Sequence, residues 1–532
     1  MKTTNFIILF FGFLFLTACA QLPTDYIKEP SYVISDTDNT SLGKNALERL
    51  KKYPGKSSMY LINEGTDAFY ARLILLATAE RSIDVQYYIW HDDLIGKFLF
   101  KGIIDAADRG VRVRMLLDDL SLNKNTEAMV YALDQHENIE VRLFNPFASR
   151  GFHFADFITD ASRINRRMHN KSFTVDGQVI VVGGRNIGNE YFSADETSNF
   201  RDIDVMSIGP IVNDVGKEFD IYWNSTVVFP VKAFDHNQAS AIELKQLKKE
   251  LAEYIDSQSN SKYAQDVYDT DIYKVTMSGT KSPNPVKLYH GMGKVIYDDP
   301  EKSMGKSDKE IVYLKSLMAP YVEDVTQSFE LISPYFVPGD SGTKRLIELV
   351  KKGIKVRIVT NSLSSTDGIM AQSGYARHRV ELLKGGVELY ELKTEIKSKA
   401  SRSLRLKDTA KSGLHAKTYI FDRENIFIGS FNFDPRSANI NTEVGVVYEI
   451  PEMAQYIATS VFDENLHHIS YKVVLEVTPG IDEDGYEIEY TDPVWIEVKD
   501  GKETRYIKDP QTSGWRRFTE DFFSALPIES QL

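Results

Sequence analysis

One pattern, His-x-Lys-x4-Asp-x6-Gly-[Gly/Ser]-x-Asn, occurs twice in this chain of 532 residues. At ordinary residue frequencies, a given start position matches its five fixed places with a chance on the order of a few in ten million. A duplicated unit therefore explains the two copies better than a pair of unrelated core histidines. The first copy consists of His169, Lys171, Asp176, Gly183, Gly184 and Asn186, and the second of His415, Lys417, Asp422, Gly429, Ser430 and Asn432.

The sequence around the two copies repeats as well. Within residues 80–90 and 327–337, Ser82 and Ser328 keep the offset of 246 that separates the two histidines, and residues 110–119 and 353–362 keep an offset of 243. Strand-like segments alternate with helical segments of ten or more residues, which is typical of α/β architecture. We predict two α/β halves, each a mixed β-sheet flanked by helices, related by a pseudo-twofold axis and sharing one active site.

The spacing within each copy predicts a β-hairpin. Because strand side chains alternate between faces, a His and a Lys two residues apart project to the same side. Asp176-Gly177 is typical of a type I′ turn, and the corresponding loop of the second copy begins at Asp422. We interpret both aspartates as structural, organising the hairpin or pairing with a base, although they belong to the catalytic motif.

The returning strand of each hairpin brings small residues and an asparagine back beside the His-x-Lys end. Small residues let backbone N–H groups approach an anion, and the asparagine amide adds donors. The predicted phosphate-binding residues are Gly184, Asn186, Ser430 and Asn432.

The combined motif residues favour chemistry on a phosphodiester. Imidazoles, ammonium groups and N–H donors can stabilise a charged five-coordinate phosphorus while one His attacks it and the other protonates the leaving oxygen. The motifs offer neither a carboxylate cluster for Mg²⁺ or Ca²⁺ nor His/Cys pairs for Zn²⁺, so no metal or cofactor is expected. The candidate catalytic residues are His169, Lys171, Asp176, His415, Lys417 and Asp422.

A nucleophilic His needs its second ring nitrogen held by a partner, usually a carboxylate. Glu443 and Asp204 lie downstream of the two copies, and aligning their strands pairs one with the other. We predict that these two orient the histidines, with Asp202 as the alternative because the preceding loops differ in length. Each could instead be an ordinary charge at a strand edge.

The chain resembles the phospholipase D superfamily, whose signature is the duplicated His-x-Lys-x4-Asp motif. It is most similar to the bacterial cardiolipin synthases, in particular their class C branch, from about residue 44 to the end. The resemblance implies a transphosphatidylase with a covalent phosphatidyl-histidine on His169 and with His415 as general acid and then base. The segments that carry it include QYYIWHDD (86–93), RRMHNKSF (166–173), VGGRNIGNEYF (182–192), GSFNFDPRSANINTEVG (429–445) and LPIESQL (526–532).

Charge helps to choose among the substrates of such enzymes. The net charge is −13, whereas a nuclease is expected to present a basic face to its polyanion. The resemblance implies phosphatidylglycerol or phosphatidylethanolamine as donor, and a hydrolytic phospholipase D, an extracytoplasmic nuclease and an inactive lipid-binding module remain alternatives. Basic clusters precede both motifs and could steer anionic headgroups or be solvated loop charges. They are Arg163, Arg166 and Arg167, and Arg402, Arg405, Lys407 and Lys411.

The N-terminus resembles a lipoprotein signal. The apolar run from Phe6 to Leu16 is too short to span a bilayer, and Leu16-Thr17-Ala18-Cys19 resembles a lipobox in which Cys19, the single cysteine, is acylated. Ala20 follows instead of an Asp that would retain the protein at the inner membrane. We expect an enzyme anchored on the periplasmic side of the envelope, at the outer rather than the inner membrane, with a cleaved signal without lipidation as the alternative.

The same features predict the binding partners and the segments of the chain. We expect a monomer that contacts phospholipids and, through its anchor, the membrane, with no nucleic-acid partner.

Near the C-terminus, one helical face carries Trp515, Phe518, Phe522 and Leu526. We expect this face to pack on the catalytic body rather than in a bilayer interface. The predicted segments are a signal peptide (1–18), a tether (19–43), repeat 1 (44–235), a helical linker or insertion (236–310), repeat 2 (311–465) and a β-rich extension with an amphipathic end (466–532).

Overall fold

The described part of the first half contains seven helices and nine strands. The computed structural model describes residues 21–151, 153–234, 242–278, 287–305, 311–394, 411–481, 487–499 and 501–532. The helices are α1 (Ser41–Leu50), α2 (Gly65–Thr78), α3 (Leu94–Asp108), α4 (Lys124–Leu133), α5 (Phe154–Thr159), α6 (Ala161–Ile164) and α7 (Pro210–Asn224). The strands are β1 (Ser57–Ile62), β2 (Ser82–Tyr87), β3 (Arg112–Asp118), β4 (Ile139–Phe144), β5 (Ser172–Val175), β6 (Val179–Gly183), β7 (Ser198–Arg201), β8 (Asp204–Ile208) and β9 (Val228–Pro230).

A helical connection leads to the second half. Its helices are α8 (Leu244–Gln258), α9 (Lys262–Tyr268) and α10 (Asp271–Ser278). The later helices are α11 (Leu314–Glu323), α12 (Gly339–Lys351), α13 (Ile369–Lys384), α14 (Pro435–Asn439), α15 (Pro451–Ala458), α16 (Leu466–Ile469) and α17 (Gly514–Ser524). The strands are β10 (Tyr289–Tyr297), β11 (Ser328–Ile332), β12 (Lys355–Asn361), β13 (Glu388–Leu392), β14 (Lys411–Leu414), β15 (Thr418–Phe421), β16 (Asn425–Gly429), β17 (Val444–Glu449), β18 (Ser470–Ile481), β19 (Glu487–Lys499) and β20 (Lys502–Tyr506).

The two halves repeat one strand order. Strands β1-β8-β6-β5-β2-β3-β4 of the first half correspond to β10-β17-β16-β15-β11-β12-β13 of the second, and in each half the last three are parallel while the rest are antiparallel. The equivalent edge strands β1 and β10 pair with each other antiparallel, so the described strands form one continuous 18-stranded sheet beside a small β7–β14 ribbon. Antiparallel pairing of equivalent strands is what a twofold relation requires. The predicted fold class is confirmed.

The core lies in layers on both sides of the sheet. Apolar side chains of both halves, among them Met59, Ile180, Ile428 and Val446, form one buried cluster between the halves. Separate clusters lie under the flanking helices of each half. Strands buried on both faces account for the near-continuous apolar runs in the sequence. Burial of both motif hairpins between these layers holds the catalytic residues in fixed positions.

Two predicted boundaries were wrong. The segment 236–310 is not only helical, because β10 within it is the first strand of the second half. Much of the predicted tether is packed against the first half: Lys28 donates to the carbonyl of Ser225 at 2.5 Å, and Asp220 accepts from the backbone of Val33 at 3.0 Å. These contacts form because the tether runs as extended chain beside α7. Only a short segment after Cys19 is left that could extend away from the body of the protein.

The C-terminal extension continues the sheet of the second half, since β18 pairs with β13 and β19 pairs with β18 and β20. The expectation that its aromatic face packs on the body was wrong for three residues. Trp515 is 75% exposed, Phe518 59% and Phe522 53%, whereas Leu526 is half-buried. The signal segment and Cys19 lie outside the described residues. Among the helices that the structure describes, none is long and apolar enough to cross a membrane.

Candidate active site

The two motif hairpins adopt the turns that the sequence predicts. Asp176 and Gly177 have φ of 52° and 59° between β5 and β6, as a type I′ turn requires, and Asp422 and Arg423 have φ of 53° and 57° between β15 and β16. Each hairpin places its His and Lys just before its first strand.

The two motif aspartates bind backbone amides. Oδ1 of Asp176 accepts from the N–H groups of Arg81 and Ser82 at 2.7 and 3.0 Å. In the same way Asp422 accepts from Gln327 and Ser328 at 2.7 and 2.9 Å. These bonds tie each hairpin turn to the start of β2 or β11. The structural interpretation of both aspartates agrees with these contacts, and a catalytic role for them stays a prediction.

Each motif histidine is held by a carboxylate from the other half of the chain. Nδ1 of His169 lies 2.8 Å from Oε2 of Glu443, and Nδ1 of His415 lies 2.6 Å from Oδ2 of Asp202. This arrangement fixes Nδ1–H as the donor, so that Nε2 is the ring nitrogen for chemistry, and Nε2 of His415 lies 2.9 Å from Nζ of Lys417.

The backbone enforces the same crossed arrangement. His169 donates its N–H to the carbonyl of Thr442, the residue before Glu443, at 2.8 Å. His415 donates to the carbonyl of Arg201 at 2.8 Å, at the end of the β7–β14 ribbon. Neither histidine can be oriented by its own half alone, so the single site depends on both.

The prediction that Asp204 orients a histidine was wrong. In the sheet Asp204 pairs with Gly183, and its counterpart Gly445 pairs with Gly429. The residue that corresponds to Glu443 is therefore Asp202, two positions earlier. The loops before these strands differ in length, which displaced the sequence alignment by two residues.

Asp204 has a different, structural partner. Its Oδ2 accepts from Nη2 of Arg72 at 2.8 Å, and both side chains are fully buried. Arg185 lies 3.4 Å from the same oxygen. This buried ion pair joins α2 to the sheet.

Glu443 is held as a carboxylate by two hydroxyl groups. Ser430 donates to Oε2 at 2.5 Å and Ser437 donates to Oε1 at 2.7 Å. Burial acts to raise the pKa of Glu443, but the attraction and hydrogen bond of His169, the charge of Lys171 and the Ser430 hydroxyl hold it below its ordinary value. The predicted phosphate contact of Ser430 was wrong, because its hydroxyl proton is used on this carboxylate.

Asp202 occupies the space beside Gly184, where a side chain would otherwise lie. A Cβ on Gly184 would lie 2.3 Å from Oδ1 of Asp202, so any larger residue would displace the carboxylate. The N–H of Gly184 points to the carbonyl of Ile203, which contradicts its predicted role as a phosphate donor. Burial raises the pKa of Asp202 despite the opposing charges of Lys417 and Arg185. The two carboxylates thus differ in environment although they hold equivalent histidines.

Both motif lysines are buried beside their own histidines. Lys171 donates to the carbonyl of His169, and Nζ of Lys417 lies 2.6 Å from the carbonyl and 2.9 Å from Nε2 of His415. Burial lowers the pKa of Lys171 well below its ordinary value and lowers that of Lys417 to about 8. Burial thus disfavours the charged ammonium groups, and a bound anion would favour them.

The imidazoles are neutral in this charge balance. Burial lowers the pKa of His169 to about 4, with Glu443 opposing and Lys171 reinforcing the shift. Burial, together with the charges of Lys417 and Lys171, holds the pKa of His415 well below its ordinary value. Because each histidine responds to the lysines of both motifs, the two copies share one electrostatic site.

Two tyrosines that the sequence did not indicate pack on the imidazoles. Tyr88 lies edge-on to His169 with ring centroids 5.2 Å apart, and Tyr191 lies edge-on to His415 at 5.0 Å. Tyr88 directly follows β2 and Tyr191 lies after β6, so their contacts with the histidines become evident only from where these strands end in the structure. They shield one side of each ring from water.

The two motif asparagines differ. Oδ1 of Asn186 accepts from the N–H of Ile89 at 3.3 Å, and its amide also hydrogen-bonds to Tyr191, so it serves to position these segments. The buried Oδ1 of Asn432 has no hydrogen-bond partner among the described residues. A carbonyl oxygen accepts and does not bind a phosphate oxygen, so the predicted phosphate contact of Asn432 would come from its Nδ2–H donors and stays a prediction.

Most side chains of the basic cluster before the first motif form structural hydrogen bonds within the protein. Arg167 is fully buried and donates to Asp118 at 3.1 Å, and Arg163 donates to the carbonyl of Pro146 at 2.8 Å. A steering role for Arg167 is therefore contradicted. Of the second cluster, Lys411 is exposed, and Arg402, Arg405 and Lys407 lie outside the described residues.

Within the part of the chain that the structure describes, one group of side chains has metal-ligand character. His91, Asp93 and Glu190 place ligand atoms within 4.8 Å of one another, and all three are half-buried. Asp93 also caps α3 by accepting from the N–H of Gly96 at 3.1 Å. No residue of either His-x-Lys motif belongs to this group.

Comparison with known proteins places the site in a family. The family described as "Cardiolipin synthase, PLD-like domain" matches residues 73–223 and 322–464, which contain both motifs. Cardiolipin synthase C of Escherichia coli strain K12 is 38% identical over 493 residues, covering 92% of this chain and 99% of that protein. The probable cardiolipin synthase YwiE of Bacillus subtilis strain 168 is 23% identical, covering 77% of this chain and 66% of that protein.

A solved structure shares the fold. The phosphatidylserine synthase of Haemophilus influenzae Rd KW20 aligns with a TM-score of 0.52 at 13% identity, covering 81% of this chain and 91% of that one. At this identity the likeness supports the two-halved architecture alone. Since the family match includes more than half of the chain and the Escherichia coli relative spans nearly all of it, the chain belongs to the cardiolipin synthases of the phospholipase D-like class.

Proposed function

We propose that this chain is a phospholipid phosphatidyltransferase that makes cardiolipin through a phosphatidyl-histidine intermediate. The observation that carries the proposal is the crossed pair of contacts, His169 to Glu443 and His415 to Asp202, which prepares two imidazoles in one site. The identity with cardiolipin synthase C over nearly the whole chain supports the substrate class. One chain supplies both motifs and both carboxylates, so we propose a monomer.

His169 is the better nucleophile of the two. Its Nδ1–H is donated to Glu443, whose low pKa keeps it ionised and makes Nε2 electron-rich. Nε2 attacks phosphorus, a P–N bond forms, and the P–O bond to the departing headgroup alcohol breaks. Lys171, Lys417 and the amide of Asn432 stabilise the charge on the phosphoryl oxygens in the five-coordinate state.

His415 carries the proton in both steps. In the first step its Nε2–H is given to the departing alkoxide, which leaves as a neutral alcohol. In the second step neutral Nε2 takes the proton of a lipid hydroxyl, whose oxygen attacks phosphorus and expels His169. His415 is neutral in the free site, and the negative charge of a bound phosphodiester raises its pKa, so that protonation accompanies substrate binding.

Product analysis tests this function. Purified protein is incubated with phosphatidylglycerol, with or without phosphatidylethanolamine, in excess EDTA, and the lipids are identified by mass spectrometry. We expect cardiolipin and a released small alcohol, with the same yield in EDTA. Phosphatidic acid as the sole product would identify a hydrolase, and loss of turnover on chelation that a divalent cation restores would contradict the two-histidine chemistry. A His169→Asn, His415→Asn double variant is the matched blank.

We further propose that Cys19 carries a lipid anchor that holds the enzyme on the periplasmic side of the envelope. Each buried CH₂ contributes about 0.8 kcal/mol, so two or more acyl chains give firm attachment where one is marginal. Because Lys28 and Val33 are fixed on the body, only a short segment after Cys19 could extend, and the anchor would hold the enzyme close to the bilayer. Cys19→Ser should release the protein from washed envelopes while its activity on detergent-dispersed lipid persists. Retention in the envelope at the wild-type level would contradict the anchor.

A further inference from the structure

The helix α17 presents an aromatic face to solvent. Trp515, Phe518 and Phe522 are exposed by 75%, 59% and 53%, and the rings of Trp515 and Phe518 stack with centroids 5.5 Å apart. Ile507, shortly before the helix, is 77% exposed. Contiguous exposed aromatic residues of this size are uncommon on soluble proteins and mark an interaction surface.

The opposite face of α17 is firmly fixed. Nε of Arg516 donates to the carbonyl of Leu363 at 2.6 Å, and Glu520 lies buried 3.6 Å from Arg379 of α13. Ser513 caps the first turn by accepting from the N–H of Arg516 at 3.2 Å. The aromatic residues therefore face outward because the polar face of the helix is the one that packs.

A second apolar patch lies on α5, in the first half. Phe154 and Ile158 are 61% and 65% exposed, in the loop region between β4 and His169. The chain end following α17 reaches this region, because Nδ2 of Asn165 donates to Oε1 of Gln531 at 2.9 Å. Residue 165 lies four positions before His169, so the chain end after α17 contacts the segment that leads into the first motif. On the other side, Arg516 of α17 donates to the carbonyl of Leu363, just after β12. Asn361 at the end of β12 donates to the carbonyl of Leu414, the residue before His415.

Charge around α17 is close to balanced, whereas the whole protein is acidic. Residues 501–524 contain five basic side chains and four acidic ones, and the chain carries a net charge of −13. Amphipathic helices that bind anionic bilayer surfaces typically combine exposed Trp and Phe with neighbouring Lys and Arg. The basic residues are Lys502, Arg505, Lys508, Arg516 and Arg517, and the acidic ones are Glu503, Asp509, Glu520 and Asp521.

We propose that α17 is a membrane-docking element, which inserts Trp515, Phe518 and Phe522 into the interface of an anionic phospholipid bilayer beside the catalytic cleft. The α5 patch would contact the same surface from the other half. This inference rests on the proposed function for its choice of a lipid partner, but docking itself does not require turnover. It would place the cleft at the headgroup level, where phosphodiesters lie.

Tryptophan fluorescence measures the contact between Trp515 and the bilayer directly. The chain has four tryptophans, and Trp90, Trp223 and Trp495 are at most 2% exposed, so a change on adding vesicles reports Trp515. The probe is a vesicle of phosphatidylcholine and phosphatidylglycerol in equal parts, and the protein is the full chain carrying Cys19→Ser and His169→Asn. We expect a blue shift, quenching by brominated acyl chains, and neither effect in Trp515→Phe.

Cosedimentation with the same vesicles measures affinity. Trp515→Ser, Phe518→Ser, Phe522→Ser should weaken binding by about tenfold or more, because three interfacial aromatic residues are lost. The matched control replaces three equally exposed apolar residues of other elements, Ile27→Ser, Met277→Ser and Met292→Ser, and should bind as the parent does. Vesicles of phosphatidylcholine alone should bind more weakly than those with phosphatidylglycerol.

The outcomes separate docking from catalysis. A parent protein that shows no blue shift, or a triple aromatic variant that binds as tightly as the control variant, would overturn the docking proposal. Because these proteins carry His169→Asn, failure of the transferase assay leaves the binding result untouched. With His169 restored, the aromatic variant should lose activity on vesicles and keep it on detergent-dispersed lipid; equal loss on both would also overturn docking.

Discussion

Oδ2 of Asp202, in the first half, accepts a hydrogen bond from Nδ1 of His415, in the second half, across 2.6 Å. The equivalent bond runs in the other direction between His169 and Glu443. Each half thus provides a catalytic ring and the carboxylate for the other half's ring. A single repeat could not form a working site, which accounts physically for the duplication within one chain.

Asparagine substitutions at Asp202 and Asp204 should have opposite consequences. Asp202→Asn removes the charge that orients His415, and we expect kcat to fall by at least about a hundredfold with little change in thermal stability. Asp204→Asn leaves Arg72 buried without its charged partner, and we expect a loss on the order of 3 kcal/mol in the free energy of unfolding. Steady-state kinetics and denaturant unfolding of both variants decide the matter, and a reversed pattern would restore Asp204 as the orienting residue.

The motif aspartates should contribute to stability and not to chemistry. Asp422→Asn weakens charge-assisted bonds to the N–H groups of Gln327 and Ser328, and a loss of about 2 kcal/mol is expected. The kcat of the folded fraction should stay near that of the wild type, and Asp176→Asn should behave alike in the first hairpin. Active-site titration corrects for unfolded protein. A fall in kcat comparable with that of His415→Asn would show that the aspartate takes part in the reaction.

Anion binding should take up a proton. In the free site, burial and the neighbouring lysines keep the pKa of His415 well below its ordinary value and that of Lys417 at about 8. A bound anion favours the charged forms, so their pKa values rise and protons are taken from solvent near pH 8. Calorimetry with sulfate, which does not titrate in this range, in two buffers of different ionisation enthalpy measures the uptake. Identical heats in both buffers would contradict the coupling.

Strand alternation and the repeat predicted much of the fold and the reacting pair of histidines. The Asp-Gly turn chemistry also predicted the first hairpin, and the duplicated offset predicted that both halves build one site. These features are local or periodic, and for that reason a sequence displays them directly.

Features that depend on contacts between the halves could not be obtained in this way. The choice between Asp202 and Asp204 depends on the connection before the strand, which has 20 residues in the first half (184–203) and 14 in the second (430–443). The hydroxyl of Ser430 could face a phosphate or a carboxylate, and only the position of Glu443 decides. For α17, the helical spacing of the aromatic residues predicts one apolar face but does not predict which face packs on the protein. In the structure the packed face is the polar one, which contains Arg516 and Glu520.

The central claim is that His169 becomes covalently linked to the phosphatidyl group while His415 moves the proton. An activated phospholipid whose leaving group needs no proton should let His415→Asn accumulate the adduct, because the attack survives and the second step lacks its base. Mass spectrometry of peptides from the rapidly quenched, alkaline digest should locate the phosphatidyl group on His169, and His169→Asn should show none. An adduct on His415 in the His169→Asn protein, with none on His169 in the His415→Asn protein, would contradict the assignment of roles.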